Sequence, residues 1–216
     1  MNFMKSYFLD TKGYVAEQSS SIRSRFDVIN ALFSLVGYAN IKELSCMSCE
    51  VSIADVYIHI DKMSRFFWKY DKSIHSAHFP FVLKESEDML EVRYDNRVID
   101  SKIVAVMKSL FCKGEKVVYD LEYMLEYFYE NMRSYCISND DMDFYWQLFV
   151  YLITFETGYV RYDSDEERMD IQKHPLYHLD IFFSNKNTFK IGVGKNLNLE
   201  EFRKILDIQE ICSQIH

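Results

Sequence analysis

Apolar positions along this chain recur with two periods, and the change from one to the other falls near Gly158. Ile22, Phe26, Ile29, Phe33 and Val36 lie three and four apart, which predicts a helix. Ser19, Ser20 and Ser21 are available to cap its start, and Gly37 is a natural stop. Residues 3–15 before it read as an extended start with a turn at Gly13. The same spacing at Ile53, Val56, Tyr57, Ile60, Met63 and Phe67 predicts a second helix over about 52–70. A histidine-containing loop at 75–79 then runs into Pro80. Residues 81–83 and 90–95 read as two strands joined by an acidic turn at 85–88.

The middle of the chain is patterned for helices. One covers 103–111 and stops near Gly114. A longer one, about 116–136, would bury Val117, Leu121, Met124, Leu125, Phe128 and Met132. Its opposite side carries Glu122, Glu126 and Glu130, a solvated face, because like charges four apart repel. No Glu-x-x-His repeat accompanies them, which removes a di-iron carboxylate site. Ser138 and Asp141 form a variant capping box for a third helix reaching Phe155. Beyond Gly158 the period falls to two, with strands at 159–163, 177–183 and 189–193. Asn198 and Glu201 cap a final helix bearing Leu199, Phe202, Ile205, Leu206 and Cys212. The expected fold is α+β: helical N-terminal and central portions on a small antiparallel sheet, with a C-terminal amphipathic helix. With no linker in view, 1–216 reads as a single compact domain, helix-rich over 1–157 and a β-meander plus helix over 158–216.

The strands after Gly158 carry the densest chemistry. Alternate residues of a strand share a face. Leu179, Ile181 and Phe183 therefore point to the core, and His178, Asp180 and Phe182 away from it. Val160 and Tyr162 point in, and Arg161 and Asp163 out. Matching apolar faces places Phe183 opposite Phe189, so that Asp180 faces Gly192, His178 faces Gly194 and Lys190 lies diagonal to Asp180. One sheet face would then gather Arg161, Asp163, His178, Asp180 and Lys190, with His174 held at its rim by Pro175.

That set permits three chemistries. His174, His178 and Asp180 offer imidazole and carboxylate ligands to a divalent metal. Alternatively a histidine serves as general acid or base, oriented by Asp180, while Arg161 or Lys190 stabilises phosphoryl charge. The catalytic candidates are thus His174, His178, Asp180 and Arg161. Thirdly, the cations simply hold an anion, with Asp163 and Lys190 as ligand-binding residues. Against all three stands mutual pairing, Arg161 with Asp163 or Asp180 and His178 with a backbone carbonyl.

Elsewhere, Cys46 and Cys49 followed by His75 and His78 provide four potential zinc ligands, although the gap between the pairs exceeds ordinary finger spacing. No Walker, GxGxxG, HExxH, GxSxG or EF-hand pattern occurs. Thirty-three acidic against 25 basic residues give a net charge of −8, which opposes a general nucleic-acid-binding surface. Aromatics make up 16% of the chain and fall mostly at helical spacing, which fits core packing or an interface with another protein subunit or a second copy. No signal segment is visible, and the longest apolar run, at 144–155, is too short to span a bilayer. Five cysteines in such a chain read as reduced thiols, so a cytoplasmic location without membrane contact is expected.

The stretch Arg161-Tyr162-Asp163 … His174-Pro175-x-x-His178-x-Asp180-Ile181 … Thr188-Phe189-Lys190-Ile191-Gly192 resembles the C-terminal signature of small bacterial proteins from mobile-element and antiphage-defence neighbourhoods. The likeness covers about the last 60 residues. Such proteins often carry a second histidine where this chain has Asp180. What the resemblance implies is a genomic context, not a reaction; the leading expectation is a component of a bacterial defence or toxin–antitoxin-type system acting mainly through protein contacts. The alternative expectation is a metal- or histidine-dependent hydrolase, a nuclease or phosphodiesterase, working at the 161–190 face.

Overall fold

The structure, a computed structural model, describes residues 5–9, 22–40, 56–85, 90–184 and 186–211. Its strands are β1 (Lys5–Leu9), β2 (Val56–Ile60), β3 (Ser64–Tyr70), β4 (Ser73–His78), β5 (Val82–Glu85), β6 (Leu90–Tyr94), β7 (Arg97–Val98), β8 (Val160–Ser164), β9 (Tyr177–Ile181) and β10 (Phe189–Gly192). Its helices are α1 (Arg25–Ala39), α2 (Ser101–Phe111), α3 (Leu121–Ser134), α4 (Asn139–Thr154) and α5 (Leu199–Leu206). The fold is α+β with antiparallel sheets, and it divides into two compact units.

The first unit contains β1–β4, β8–β10 and α5. Its seven strands run in the order β1-β2-β3-β4-β8-β9-β10, every neighbouring pair antiparallel. The meander is thus interrupted once in sequence, between β4 and β8, without interruption in space. On one face Tyr57, Phe67, Ile74, Tyr162 and Leu179 form a core with Leu197, Leu199 and Phe202. Helix α5 is fixed over it by the Asn198–Glu201 capping box the sequence predicts, and Phe202 meets Phe67 edge-on at 6.0 Å. The other face is buried too: Val56, Ile58, Phe66, Trp68, His75 and Ala77 are all nearly inaccessible.

Burial of both faces explains the principal error of sequence reading. The segment 52–70 is not a helix: 56–60 and 64–70 are strands, and 52–55 lie outside the described residues. A strand covered on both sides need not alternate apolar with polar residues, and the apolar positions left here, Val56, Tyr57, Ile60, Met63 and Phe67, also satisfy a helical template. The expected loop at 75–79 is mostly strand as well, since β4 extends to His78. Its polar residues do not mark solvent; His75 and Ser76 are buried.

The second unit contains α1, β5–β7 and α2–α4. Helix α1 starts later than its apolar spacing implies, capped by a Ser24–Asp27 box, and runs through Gly37 to Ala39. Phe111 links the helices, with ring contacts to Phe26 at 5.5 Å and Phe149 at 5.3 Å. Helix α3 begins at Leu121 after a short 3-10 turn (Gly114–Val118), with Asp120 as its cap. Leu121, expected in the core, is therefore on the first turn and 65% exposed. The three glutamates are exposed as the pattern requires. Ser138 caps no backbone amide of α4; its hydroxyl donates to Asp141 Oδ2 at 2.8 Å instead. Among the described residues no helix is long and apolar enough to cross a membrane.

Candidate functional site

Register lines across the first sheet build the site. One row reads Val56, Trp68, His75, Arg161, Asp180, Lys190, each residue opposite the next on adjacent strands. The neighbouring row on the same face reads Tyr70, Ser73, Asp163, His178, Gly192. A face that is apolar and aromatic at β2 and β3 therefore becomes charged at β8–β10.

Arg161 is the centre of the charged part. Its Nε and Nη2 donate to Asp163 Oδ2 at 2.8 and 2.6 Å, and Nη2 also reaches Asp180 Oδ2 at 2.5 Å. Burial works against this cation, but Asp163 outweighs it, helped by Tyr159 and Asp180, so its pKa is raised. Asp163 accepts a further bond from Ser73 Oγ at 2.7 Å. Asp180 Oδ1 is held by Lys190 Nζ at 2.6 Å. Two carboxylates and two cations thus neutralise one another, which makes their burial tolerable.

His178 is fully buried between them, and its protonation can be read from its partners. Nδ1 lies 2.8 Å from the Pro175 carbonyl oxygen, which can only accept, so Nδ1 carries the hydrogen. Nε2 is then a lone pair, and it accepts from Lys190 Nζ at 2.9 Å. Burial, with help from the Lys190 ammonium, lowers the His178 pKa and keeps the ring neutral, consistent with this tautomer. Nε2 also lies 3.6 Å from Asp163 Oδ2 and 3.7 Å from Asp180 Oδ1.

Every candidate from the 161–190 segment therefore arrives at one place, with changes of role. His174 packs its ring edge-on against His178 at 4.5 Å and points Nε2 toward Asp165 at 3.8 Å. It is Asp163, not His174, that joins His178 and Asp180 in a compact ligand set, their donor atoms all within 4.8 Å. The hairpin register differs by two residues from the expected one: Ile181 faces Phe189, and Lys190 faces Asp180 directly. The reason is Phe182, whose φ of +68° ends β9 before Phe183 can pair. A two-residue shift preserves which face each side chain takes, so the cluster survives it. Gly192, opposite His178, admits the Pro175 ring; a Cβ there would lie 3.1 Å from Pro175 Cγ.

Of the zinc candidates, only the two histidines fall among the described residues. Cys46 and Cys49 lie outside the described residues. His75 and His78 are three apart on one strand and so project from opposite faces. His75 stacks on Trp68 at 4.9 Å and bonds Tyr159 Oη through Nδ1 at 2.9 Å. Burial, then Arg161, pushes its pKa down to about 3. Ser73 was not singled out by spacing, and His75 was singled out only as a zinc ligand, because pairing of β4 with β8 is what brings them beside Asp163 and Arg161.

Beside the cluster opens a polar pocket of about 350 Å³. Arg161, Asp163, Lys190 and His174 line it, with Lys72 and Arg168 adding cations and Asp71, Asp165, Glu166 and Glu167 adding carboxylates at its walls. His178 and Asp180 are not in its wall. They touch the pocket through Lys190, whose side chain is 27% exposed, and through Arg161 and His174, which contact Asp180 and His178. Comparison with protein-family profiles, with curated proteins and with solved structures finds no match.

Proposed function

We propose that the protein is a hydrolase of phosphoester-type anions, working where the pocket meets the Asp163–His178–Asp180 set. The observation that carries this reading is the convergence of one imidazole lone pair and two carboxylates beside an open polar pocket. Three acceptors at one point are suited to activating a water molecule, and cations at the pocket wall to phosphoryl charge. Lys190 connects the two, since it touches both His178 and Asp180 and also lines the pocket. A phosphoryl oxygen entering the pocket draws its ammonium outward and uncovers the acceptors.

The test is turnover of phosphomonoesters, phosphodiesters, nucleotides and single-stranded nucleic acid by the purified chain, supplied with Mg²⁺ or Mn²⁺. Activity on one class, lost in His178→Gln and Asp180→Asn proteins that keep the wild-type melting temperature, supports the reading. An inert wild-type protein across that panel removes it.

A second reading, the protein-contact role, rests on a separate feature. Tyr119 and Leu121 at the start of α3 are 78% and 65% exposed, and Tyr129 is also exposed. Large apolar and aromatic side chains gathered at a surface favour partner binding. Leu121→Glu should then disrupt self-association or co-purification with a partner subunit without lowering stability; unchanged assembly removes this reading.

A further inference from the structure

We infer that Asp163, His178 and Asp180 form a divalent-cation site whose position is occupied, in this state, by the ammonium of Lys190. Three observations lead there. First, the separations from His178 Nε2 to Asp163 Oδ2 and Asp180 Oδ1 are 3.6 and 3.7 Å. Neighbouring ligands on one ion, with bonds of about 2.1 Å, stand roughly 3–4 Å apart. Secondly, His178 is oriented as metal-bound histidines are: its far nitrogen donates to a backbone carbonyl, that of Pro175, which fixes the ring and aims the lone pair at the two carboxylates. Thirdly, a cation is already there. Lys190 Nζ donates to His178 Nε2 and Asp180 Oδ1, two of the three atoms a metal would take.

The remaining features of the cluster fit that use. Arg161 holds Asp163 and Asp180 together through their Oδ2 atoms, which leaves Asp180 Oδ1 clear for the cation, while Asp163 Oδ2 would be shared between the ion and the guanidinium. Ser73 fixes the other oxygen of Asp163. One imidazole and two carboxylates suit Mn²⁺, Fe²⁺, Co²⁺ or Zn²⁺ better than Ca²⁺, which prefers oxygen alone. Three protein ligands leave coordination positions for water toward the pocket. Lys190 has somewhere to go, because its side chain borders that pocket. The metal and the ammonium are therefore alternatives: loading the site sends Lys190 toward the incoming anion. This deepens the proposed hydrolysis by naming its cofactor, and it rests on that reading only for the purpose of the ion.

The test is a titration of purified protein with Co²⁺, followed by visible absorbance, and with Mn²⁺, followed by calorimetry. One equivalent should bind to the wild type and none to His178→Gln. Lys190→Met, which removes the competing charge, should bind roughly tenfold tighter or more. Lys190→Gln serves the same purpose if Lys190→Met does not fold. A folded Lys190 variant that takes up no ion at about 1 mM, or binds no tighter than wild type, overturns the inference. Metal uptake without turnover sinks only the hydrolase reading. Turnover that persists in a chelator, in protein that binds no ion, sinks only the metal site.

Discussion

Arg161 and Asp180 face each other directly across β8 and β9, and a single guanidinium nitrogen, Nη2, serves both Asp180 and Asp163. Removing this cation leaves two poorly solvated carboxylates with Lys190 alone as counter-charge. Arg161→Met should therefore cost about 3–5 kcal/mol of folding stability, the range for breaking a buried pair from one side. Urea unfolding measures it; a loss below about 1 kcal/mol would place the cluster in the solvent-screened class of surface ion pairs.

Acid should unfold the first unit through its histidines. The His75 pKa is about 3 when folded, against 6.5 for a free ring. Between those values the unfolded chain binds a proton that the folded chain refuses, so stability is full above pH 6.5 and falls as pH drops toward 3. One such group contributes a slope of about 1.4 kcal/mol per pH unit. His59 and His178 are shifted in the same direction and add to it. His75→Phe keeps a ring against Trp68 and should flatten the pH dependence of the urea midpoint by about one proton. An unchanged slope would show that His75 does not stay neutral.

Gly192→Ala brings a methyl to about 3.1 Å from Pro175 Cγ. The crowding should cost roughly 1–3 kcal/mol. Because the Pro175 carbonyl orients His178, the same change should also disturb the imidazole, visible as a shifted ring resonance in NMR. A neutral substitution with an unmoved resonance would mean that the 173–176 loop yields freely.

Cys136 invites the opposite outcome. It follows α3 with φ of +51°, and the amides of Cys136 and Ile137 bond back to Arg133 and Met132 in the pattern usually completed by glycine. Cys136→Gly should raise stability by about 1 kcal/mol, because the left-handed conformation costs glycine nothing. A lowered melting temperature would contradict this.

Helices α2, α3, α4 and α5 could be read from apolar spacing because each has one wet side, and in α5 the cap residues also stood in sequence. Strands β2 and β3 could not, because covering both faces erases the alternation that distinguishes strand from helix. The charged cluster was legible for the same reason the helices were: Arg161, Asp163, His178 and Asp180 alternate with Tyr162 and Leu179. Its exact partners were not. The two-residue register shift depends on Phe182 leaving the strand conformation, and nothing in its own identity announces a positive φ. Ser73 and His75 depend on pairing across a long sequence gap, which no local pattern carries.

The interruption of the meander between β4 and β8 also shapes how the chain is made. Tyr159 lies 84 residues after its partner His75. During synthesis from the N-terminus, β4 emerges with Trp68 and Phe66 of β3 on one side and nothing yet to pair with its other edge. At typical translation speeds that bare edge waits on the order of ten seconds for β8. Unpaired edges next to large apolar side chains are where nascent chains associate wrongly. Slowed elongation through the stretch 81–156 should therefore shift newly made protein toward aggregates, while leaving the finished molecule as stable as before.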